Sequence, residues 1–293
     1  MSTETESAPR QRPLAYRLLR VSAVRRLSPH LTRITFGSDE LDGFTDVTPD
    51  QSVKLFFPLD HQVSPKVPEL SGDDVMSWYQ AYLAMPDDVR PPMRTYTVRY
   101  HRPARREIDV DFVLHGEHGP ASRFASNATP GQHVGMLGPG GSYQPPSDCG
   151  WQLLAGDETA LPAIGAITEA LPKGMKALVY VEIGDDRDRQ RFETAGDVEI
   201  NWVRREGVEA GRSDRLLRAV QRAQFPGGAP YLWLSGEAGM VKALRRHLVN
   251  ERGIDKKLIS FTGYWRYGKS EEQTTREAVT ATANGQPPPD DDL

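Results

Sequence analysis

The pattern of apolar and polar positions changes character near the middle of the chain. Between Tyr16 and about Tyr143, runs such as LLRVSAVRRL, LTRITFGS, QSVKLFFPL, MRTYTVRYH and EIDVDFVLHG are rich in Val, Ile, Thr and Phe. They often alternate, and Gly, Pro and Asp punctuate them. Period-two runs bounded by turn formers predict strands. Their density and spacing predict a closed antiparallel barrel rather than a parallel sheet. A long polar insertion at about residues 60–92 interrupts them and holds one short helical pattern, VMSWYQAYLAM.

After the turn-rich stretch GPGGSYQPPSDCG the rhythm alternates. WQLLAG leads to helix TALPAIGAITEAL, and KALVYVEIG to an arginine-rich loop. VEINWVRR precedes helix SDRLLRAVQRAQ, PYLWLSG precedes helix GMVKALRRHLVNER, and LISFTGYWR closes the series. Strands alternating with helices predict a parallel sheet covered on both faces. The expected class is therefore α+β with two domains, an antiparallel β-barrel followed by a parallel α/β domain. The expected boundaries are a flexible stretch at 1–13, a barrel at 14–147, the α/β domain at 148–270 and an extension at 271–293. That extension ends in NGQPPPDDDL, too polar to bury apolar surface and expected to be disordered.

Bulk properties narrow the function classes. A chain of 293 residues is long enough for two domains with cores of their own. A net charge of −4 argues against a nucleic-acid binder, which is usually basic over a whole domain. The single cysteine, Cys149, allows neither an internal disulfide nor a thiolate metal cluster. The polar start and the lack of any apolar run of about 18 residues predict no membrane insertion and a cytoplasmic location. A monomer is expected.

An antiparallel barrel followed by a nucleotide-binding α/β domain resembles the ferredoxin-reductase architecture. That resemblance implies FAD on the barrel and a pyridine nucleotide at the carboxyl ends of the parallel strands. Arg94-Thr95-Tyr96-Thr97-Val98-Arg99 has residue types suited to such a cofactor. Arginine can grip a pyrophosphate in a bidentate way, tyrosine can stack on the flavin or ribityl, and a threonine hydroxyl can sit near flavin N5. On a flat strand alternate residues face opposite ways, so a twist or bulge is needed for both sets to line one ligand. The alternative is an ordinary strand with surface arginines.

The second motif runs from Asp111 through His115 to Gly119-Pro120-Ala121-Ser122. Its turn would open a helix at Ala121-Ser122, whose free N–H groups suit the other half of the pyrophosphate. His115 is read as a hydrogen-bonding partner of the cofactor. No third ligand stands near His115 and His118, so no metal site is expected. The third motif, Asp157-Glu158-Thr159-Ala160, lies between the first parallel strand and its helix, where ligands meet such sheets. Thr159 could cap that helix or touch FAD. Pro162 suits its first turn.

RTYTVR, DFVLHGEHGPASRFA, GDETALPAI, WLSGEAGMVKALRRHL and GYWRYG, in this order, resemble the siderophore-interacting proteins, which are flavin-dependent ferric-siderophore reductases. The resemblance covers about residues 14–270. One departure is Phe124, where tryptophan is expected. It implies FAD contacts at Arg94, Tyr96, Thr97, Arg99, Gly119, Ala121 and Ser122. It also implies an open basic pocket for a ferric chelate, with Lys54, Arg266 and Lys269 as candidates. Tyr264 and Trp265 could shield the flavin or pack in the core. Arg204 and Arg205, after strand EINWV, could grip the 2′-phosphate of NADPH, favouring it over NADH. Gly236, Glu237 and Ala238 would lie where nicotinamide approaches. Reduced ferredoxin is a further possible donor. Two other readings stay open: a flavoprotein of the same architecture with another acceptor, and a siderophore-binding protein without turnover.

Overall fold

The computed structural model describes residues 15–70, 75–114 and 119–283. The first part is built from β1 (Ala15–Ser28), β2 (Leu31–Gly37), β3 (Ser52–Phe56), α1 (Val75–Leu83), β4 (Met93–Thr97), β5 (Tyr100–Arg102), β6 (Glu107–Val113), α2 (Pro120–Asn127) and β7 (His133–Gly140). Its strands form one sheet in the order β4-β3-β7-β1-β2-β6-β5, and neighbours pair antiparallel. The two edge strands, β4 and β5, are consecutive in the chain. Between them the Val98 N–H donates to the Gln51 carbonyl at 2.9 Å, and the Arg99 N–H to the Asp109 carbonyl at 2.8 Å. One stretch of backbone thus links the two edges of the sheet, and among the described residues β4 and β5 do not pair to close it into the expected barrel.

Alternation fixes which side chains fill the curl. In β6, Ile108, Val110 and Phe112 are fully buried and pack with Ile34, Phe36 and Leu55. Asp109 and Asp111 on the opposite face are buried too, and arginines satisfy them. Arg102 grips Asp109 at 2.7 and 2.8 Å, and Arg33 grips Asp111 at 2.6 and 2.7 Å. The insertion is less polar in effect than its composition predicts. α1 sets Trp78 and Tyr82, stacked 5.8 Å apart, against Phe56, Met93 and Leu137.

The second part contains β8 (Trp151–Gly156), α3 (Leu161–Ala170), β9 (Lys176–Ile183), β10 (Asp197–Arg204), α4 (Arg215–Arg222), β11 (Pro230–Glu237), α5 (Ala238–Asn250), β12 (Ile259–Trp265) and α6 (Glu271–Ala283). Its sheet is parallel, in the order β10-β9-β8-β11-β12. The winding reverses between β8 and β11, and a crevice opens at their carboxyl ends, the usual ligand position of such sheets. Among the described residues, no helix is long and apolar enough to cross a membrane.

Buried polar contacts join the two parts. The Asp50 carboxylate accepts from Trp233 Nε1 at 3.1 Å, from the Ser142 hydroxyl at 2.9 Å and from the Tyr143 N–H at 3.1 Å. Arg99 reaches α3 and makes a bidentate pair with Glu169 at 2.8 and 2.7 Å, its guanidinium 4.1 Å from the Tyr100 ring. Asp188 accepts from the Ser28 hydroxyl at 2.5 Å and faces His30 Nδ1 at 2.8 Å. Leu31 of the first sheet packs in one cluster with Leu154, Ile164 and Trp233.

Arg99→Ala is expected to cost roughly 2–4 kcal/mol of stability, because it strands Glu169 at a partly buried junction. Arg99→Lys should recover less than half, since an ammonium cannot make the bidentate, ring-stacked contact. Urea unfolding followed by tryptophan fluorescence measures both.

Candidate active site

The register of β3 and β4 sets Lys54 opposite Thr95 and Val53 opposite Tyr96. Thr95 faces outward, and its N–H and hydroxyl both donate to Glu271, at 3.1 and 2.8 Å. Lys54 Nζ lies 3.3 Å from the Thr95 hydroxyl and 3.5 Å from Glu271. Arg94 donates to its neighbour's carbonyl at 2.6 Å and pairs with Glu272. Tyr96 turns the other way, with its ring 4.3 Å from Phe112 and edge-on to Phe57. Burial pushes the Tyr96 hydroxyl well above its ordinary pKa. Thr97 and Val98 are buried at the seam.

The second motif comes to the same aromatic cluster. Gly119 is the extended N-cap of α2, Pro120 opens the helix, and no side chain caps it. A Cβ on Gly119 would meet open space. Ala121 and Ser122 are buried, and the Phe124 ring lies 5.2 Å from Phe57. His115 lies outside the described residues. Two residues of these motifs are committed elsewhere. Arg99 belongs to Glu169 across the junction, and Asp111 is held by Arg33 on the sheet.

At the crevice of the parallel sheet, Asp157 is the central acceptor. It takes the Thr159 N–H at 2.9 Å, the Thr159 hydroxyl at 2.5 Å, the Glu237 N–H at 2.8 Å and Trp265 Nε1 at 2.9 Å. Thr159 does not cap α3, as its position in the sequence suggested. Ala160 is the N-cap, and its helix start has no side-chain cap. Gly236 adopts φ 137°, and a Cβ there would come within 2.8 Å of Asp157, so the loop requires glycine. Glu237 caps α5 by accepting the Met240 N–H at 2.9 Å, and it also accepts the Tyr267 N–H at 3.2 Å. Ala238 opens α5 in a buried position. Tyr264 hydrogen-bonds to Ser235 and to Thr97, which brings β12 against the end of β4.

The cations expected to meet ligands are largely paired. Arg205 is 9% exposed and forms a bidentate pair with Glu158, with Glu182 3.9 Å away. The guanidinium expected to meet a 2′-phosphate thus also neutralises buried carboxylates. Arg204 stays at the surface, 2.9 Å from Asp186. Lys269 pairs with Glu277 at 2.7 Å, and its backbone N–H donates to the Arg266 carbonyl at 3.1 Å in a tight turn. Sequence reasoning missed these acids and the helix that carries several of them. A signal for α6 was present in Ser270-x-x-Gln273. The Gln273 N–H donates to the Ser270 hydroxyl at 3.2 Å, and the Ser270 N–H to Gln273 Oε1 at 2.9 Å, a capping box.

The residues fit a flavin dinucleotide. α2 presents an uncapped N-terminus beside an open glycine, Arg94 supplies a cation on the strand, and Tyr96 and Thr97 stand next to it where the two parts meet. A curled antiparallel sheet whose edge strand meets the carboxyl ends of a parallel sheet is the arrangement of two-domain flavin reductases. It defines the protein as a flavin-dependent oxidoreductase. The model of the siderophore-interacting FAD-binding domain matches residues 20–143, and that of the siderophore-interacting protein matches residues 149–268. The chain belongs to the siderophore-interacting protein family, and FAD is its cofactor.

Relatives agree over nearly full length. The chain is 33% identical to ferric vibriobactin reductase ViuB of Vibrio cholerae over 258 residues, covering 87% of this chain and 91% of that one. It is 33% identical to the NADPH-dependent ferric-chelate reductase of Escherichia coli over 257 residues, covering 86% and 93%. The crystal structure of a siderophore utilization protein from T. fusca superposes with a TM-score of 0.78 at 33% identity, covering 88% and 95%. The ferredoxin reductase of carbazole 1,9a-dioxygenase, at 16% identity and a TM-score of 0.62 over 86% of this chain and 70% of that one, shares the fold.

Glu182 gives this crevice a pH signature. Burial raises its carboxyl to about 7, against the opposing hydrogen bond from Ser213 and the charge of Arg205, while Asp157 and Glu158 reinforce the rise. The folded state therefore favours the protonated acid. That contribution is full below pH 4.5 and is lost as pH climbs towards about 7. Glu182→Gln is expected to flatten the stability–pH curve between those values and to raise stability at pH 8 by up to about 3 kcal/mol. Chemical denaturation across the pH series measures it.

Proposed function

We propose that the protein reduces Fe(III) held in a siderophore to Fe(II), with electrons drawn from NADPH. The observation that carries this reading is the match of both family models, in order, to a chain whose Arg94–Arg99 strand abuts the parallel-sheet crevice. The names of the relatives in Vibrio cholerae and Escherichia coli support the acceptor and the donor. Bound FAD supplies a carrier that takes a two-electron equivalent and returns single electrons to iron. Hard oxygen donors hold Fe(III) far better than Fe(II), so reduction loosens the chelate. Residues 14–147 would form the flavin-binding domain and 148–270 the donor-binding domain. The protein would act as a cytoplasmic monomer, and reduced ferredoxin is an alternative donor.

The chain's residues then have distinct tasks. Arg94 and the start of α2, at Gly119, Ala121 and Ser122, hold the cofactor's phosphates. Tyr96 and Thr97 line its ring, with Thr95 and Val98 as backbone neighbours. Tyr264 fills the junction behind Thr97, and Trp265, held by Asp157, borders it. Gly236, Glu237 and Ala238 shape the donor's approach, and Arg204 is the rim cation for a 2′-phosphate. Lys54, Arg266 and Lys269 form a basic patch for an anionic chelate, because clustered cations focus such a ligand even on an acidic chain.

The purified protein should bind one FAD per chain. It should bleach with NADPH under anaerobic conditions and recover its colour when a ferric siderophore is added. Arg94→Ala should weaken FAD binding about ten- to hundred-fold, the value of one charge-assisted contact at roughly 1.5–3 kcal/mol. A protein that bleaches and is not reoxidised by the chelate would be a carrier or a reductase for another acceptor.

Changing Lys54, Arg266 and Lys269 together to Glu should weaken chelate binding while leaving FAD content and donor oxidation largely intact. Wild-type chelate affinity should fall steeply with salt. Unchanged affinity in the triple variant would move the pocket elsewhere.

A further inference from the structure

Helix α6 lays acids directly on the residues that the flavin strand offers to anions. Glu271 takes the Thr95 N–H and hydroxyl and sits 3.5 Å from Lys54 Nζ. Glu272 takes Arg94. A backbone N–H, a hydroxyl and an ammonium around one carboxylate form the donor set that a phosphate or chelate oxygen would use. The charges cancel, with two cations against two carboxylates, so no positive field remains to draw in an anion. An anionic group placed at Arg94, Thr95 and Lys54 would meet both carboxylates at close range, where like charges repel strongly. Burial pushes the Glu272 carboxyl up, yet Arg94 overrides it and holds it below its ordinary value, so it stays charged.

The attachment is also weak in kind. No described side chain of α6 is fully buried. What holds the helix is its capping box, the Thr95 and Arg94 contacts, the pair of Lys269 with Glu277 at 2.7 Å, a hydrogen bond between Tyr79 and Thr275, and Arg276 lying 3.8 Å from Asp87. An element tied by partly exposed ion pairs and hydrogen bonds, the Arg94–Glu272 pair 22% and 20% exposed, rather than by core packing opens locally at lower cost than one in the core.

We propose that α6 is an autoinhibitory latch, an internal anion that must leave Arg94, Thr95 and Lys54 before an anionic ligand can enter there. Two ligands share that chemistry: the pyrophosphate of FAD, which would meet Arg94 and Thr95, and an anionic ferric chelate, which would meet Lys54. The chelate case rests on the pocket assigned to Lys54 above.

The test uses the full chain carrying Glu271→Gln and Glu272→Gln, which keeps side-chain length and removes charge. Calorimetric titration of apoprotein with FAD, and of oxidised holoprotein with a ferric tris-catechol complex and no donor, separates the two ligands. The latch predicts about ten-fold tighter binding in at least one arm, the size of one competing ion pair. The arm that tightens names the ligand that displaces the helix. Amide hydrogen exchange of wild-type residues 271–277 should accelerate when that ligand saturates the protein. Unchanged or weaker binding in both arms, or slower exchange on saturation, would overturn the latch and make α6 a clasp over the ligand. Lys54→Glu keeps the two ideas apart. If chelate affinity ignores that change, the pocket reading fails and the FAD arm still decides the latch.

Discussion

Residues 93–102 bond to β3 at one end and to β6 at the other, and the geometry of the site follows from that crossing. A curled sheet has to join its edges somewhere, and here a single stretch of backbone supplies both. Up to Thr97 the chain obeys ordinary alternation, with Thr95 outward beside Lys54 and Tyr96 inward on Phe112. At Val98 and Arg99 the hydrogen-bonding partner changes from β3 to β6. The two arginines of the motif consequently serve different ends. Arg94 meets Glu272 of α6, and Arg99 is carried through the junction to α3.

The same crossing explains why the junction is polar. Buried backbone, indole and guanidinium donors that meet at a seam need acceptors; Asp50 takes the first two kinds and Glu169 takes the Arg99 guanidinium. Such charges contribute less to net stability than apolar packing of equal volume, but they admit few geometries. They hold Thr97 against Tyr264, so the end of the flavin strand faces the carboxyl ends of the parallel sheet. Leu31, inserted among Leu154, Ile164 and Trp233, adds the apolar share.

Much of this was legible in the sequence, and what was not has a common cause. Alternation gave the strands of the first sheet because one face is buried. The β–α rhythm gave the second, because each strand needs a covering helix. Glycine and proline marked the start of α2 correctly. The roles of the cations were the weak point. Arg99 and Glu169 are 70 positions apart, Arg205 and Glu158 are 47, and Arg94 and Glu272 are 178. No local pattern reports a pairing at such separations, so the acid partners of these arginines could not be read in one dimension. α6 was hidden differently. Its Ser270-x-x-Gln273 box is a local signal, but it opens a segment adjoining a polar tail, and composition outweighed capping in the reading.

The crevice at the reversal of the parallel sheet shows how far a fold can depart from its usual ligand chemistry while keeping its shape. Where a Gly-rich loop would leave backbone N–H groups free for a phosphate, this chain has Asp157, and the Glu237 and Thr159 N–H groups are already turned onto its carboxylate. Glu158, Glu182 and Glu237 add acid around it, with Arg205 inserted between Glu158 and Glu182. A phosphate placed there would face carboxylates that no free donor offsets. The crevice is thus suited to presenting an uncharged or cationic ring rather than to gripping a pyrophosphate. Beside the end of the sheet the surface arginines are themselves matched by acids, Arg187 by Asp185 and both Arg189 and Arg204 by Asp186. Asp157 fixes this end of the sheet, through the Trp265 indole on one side and the close fit of Gly236 on the other.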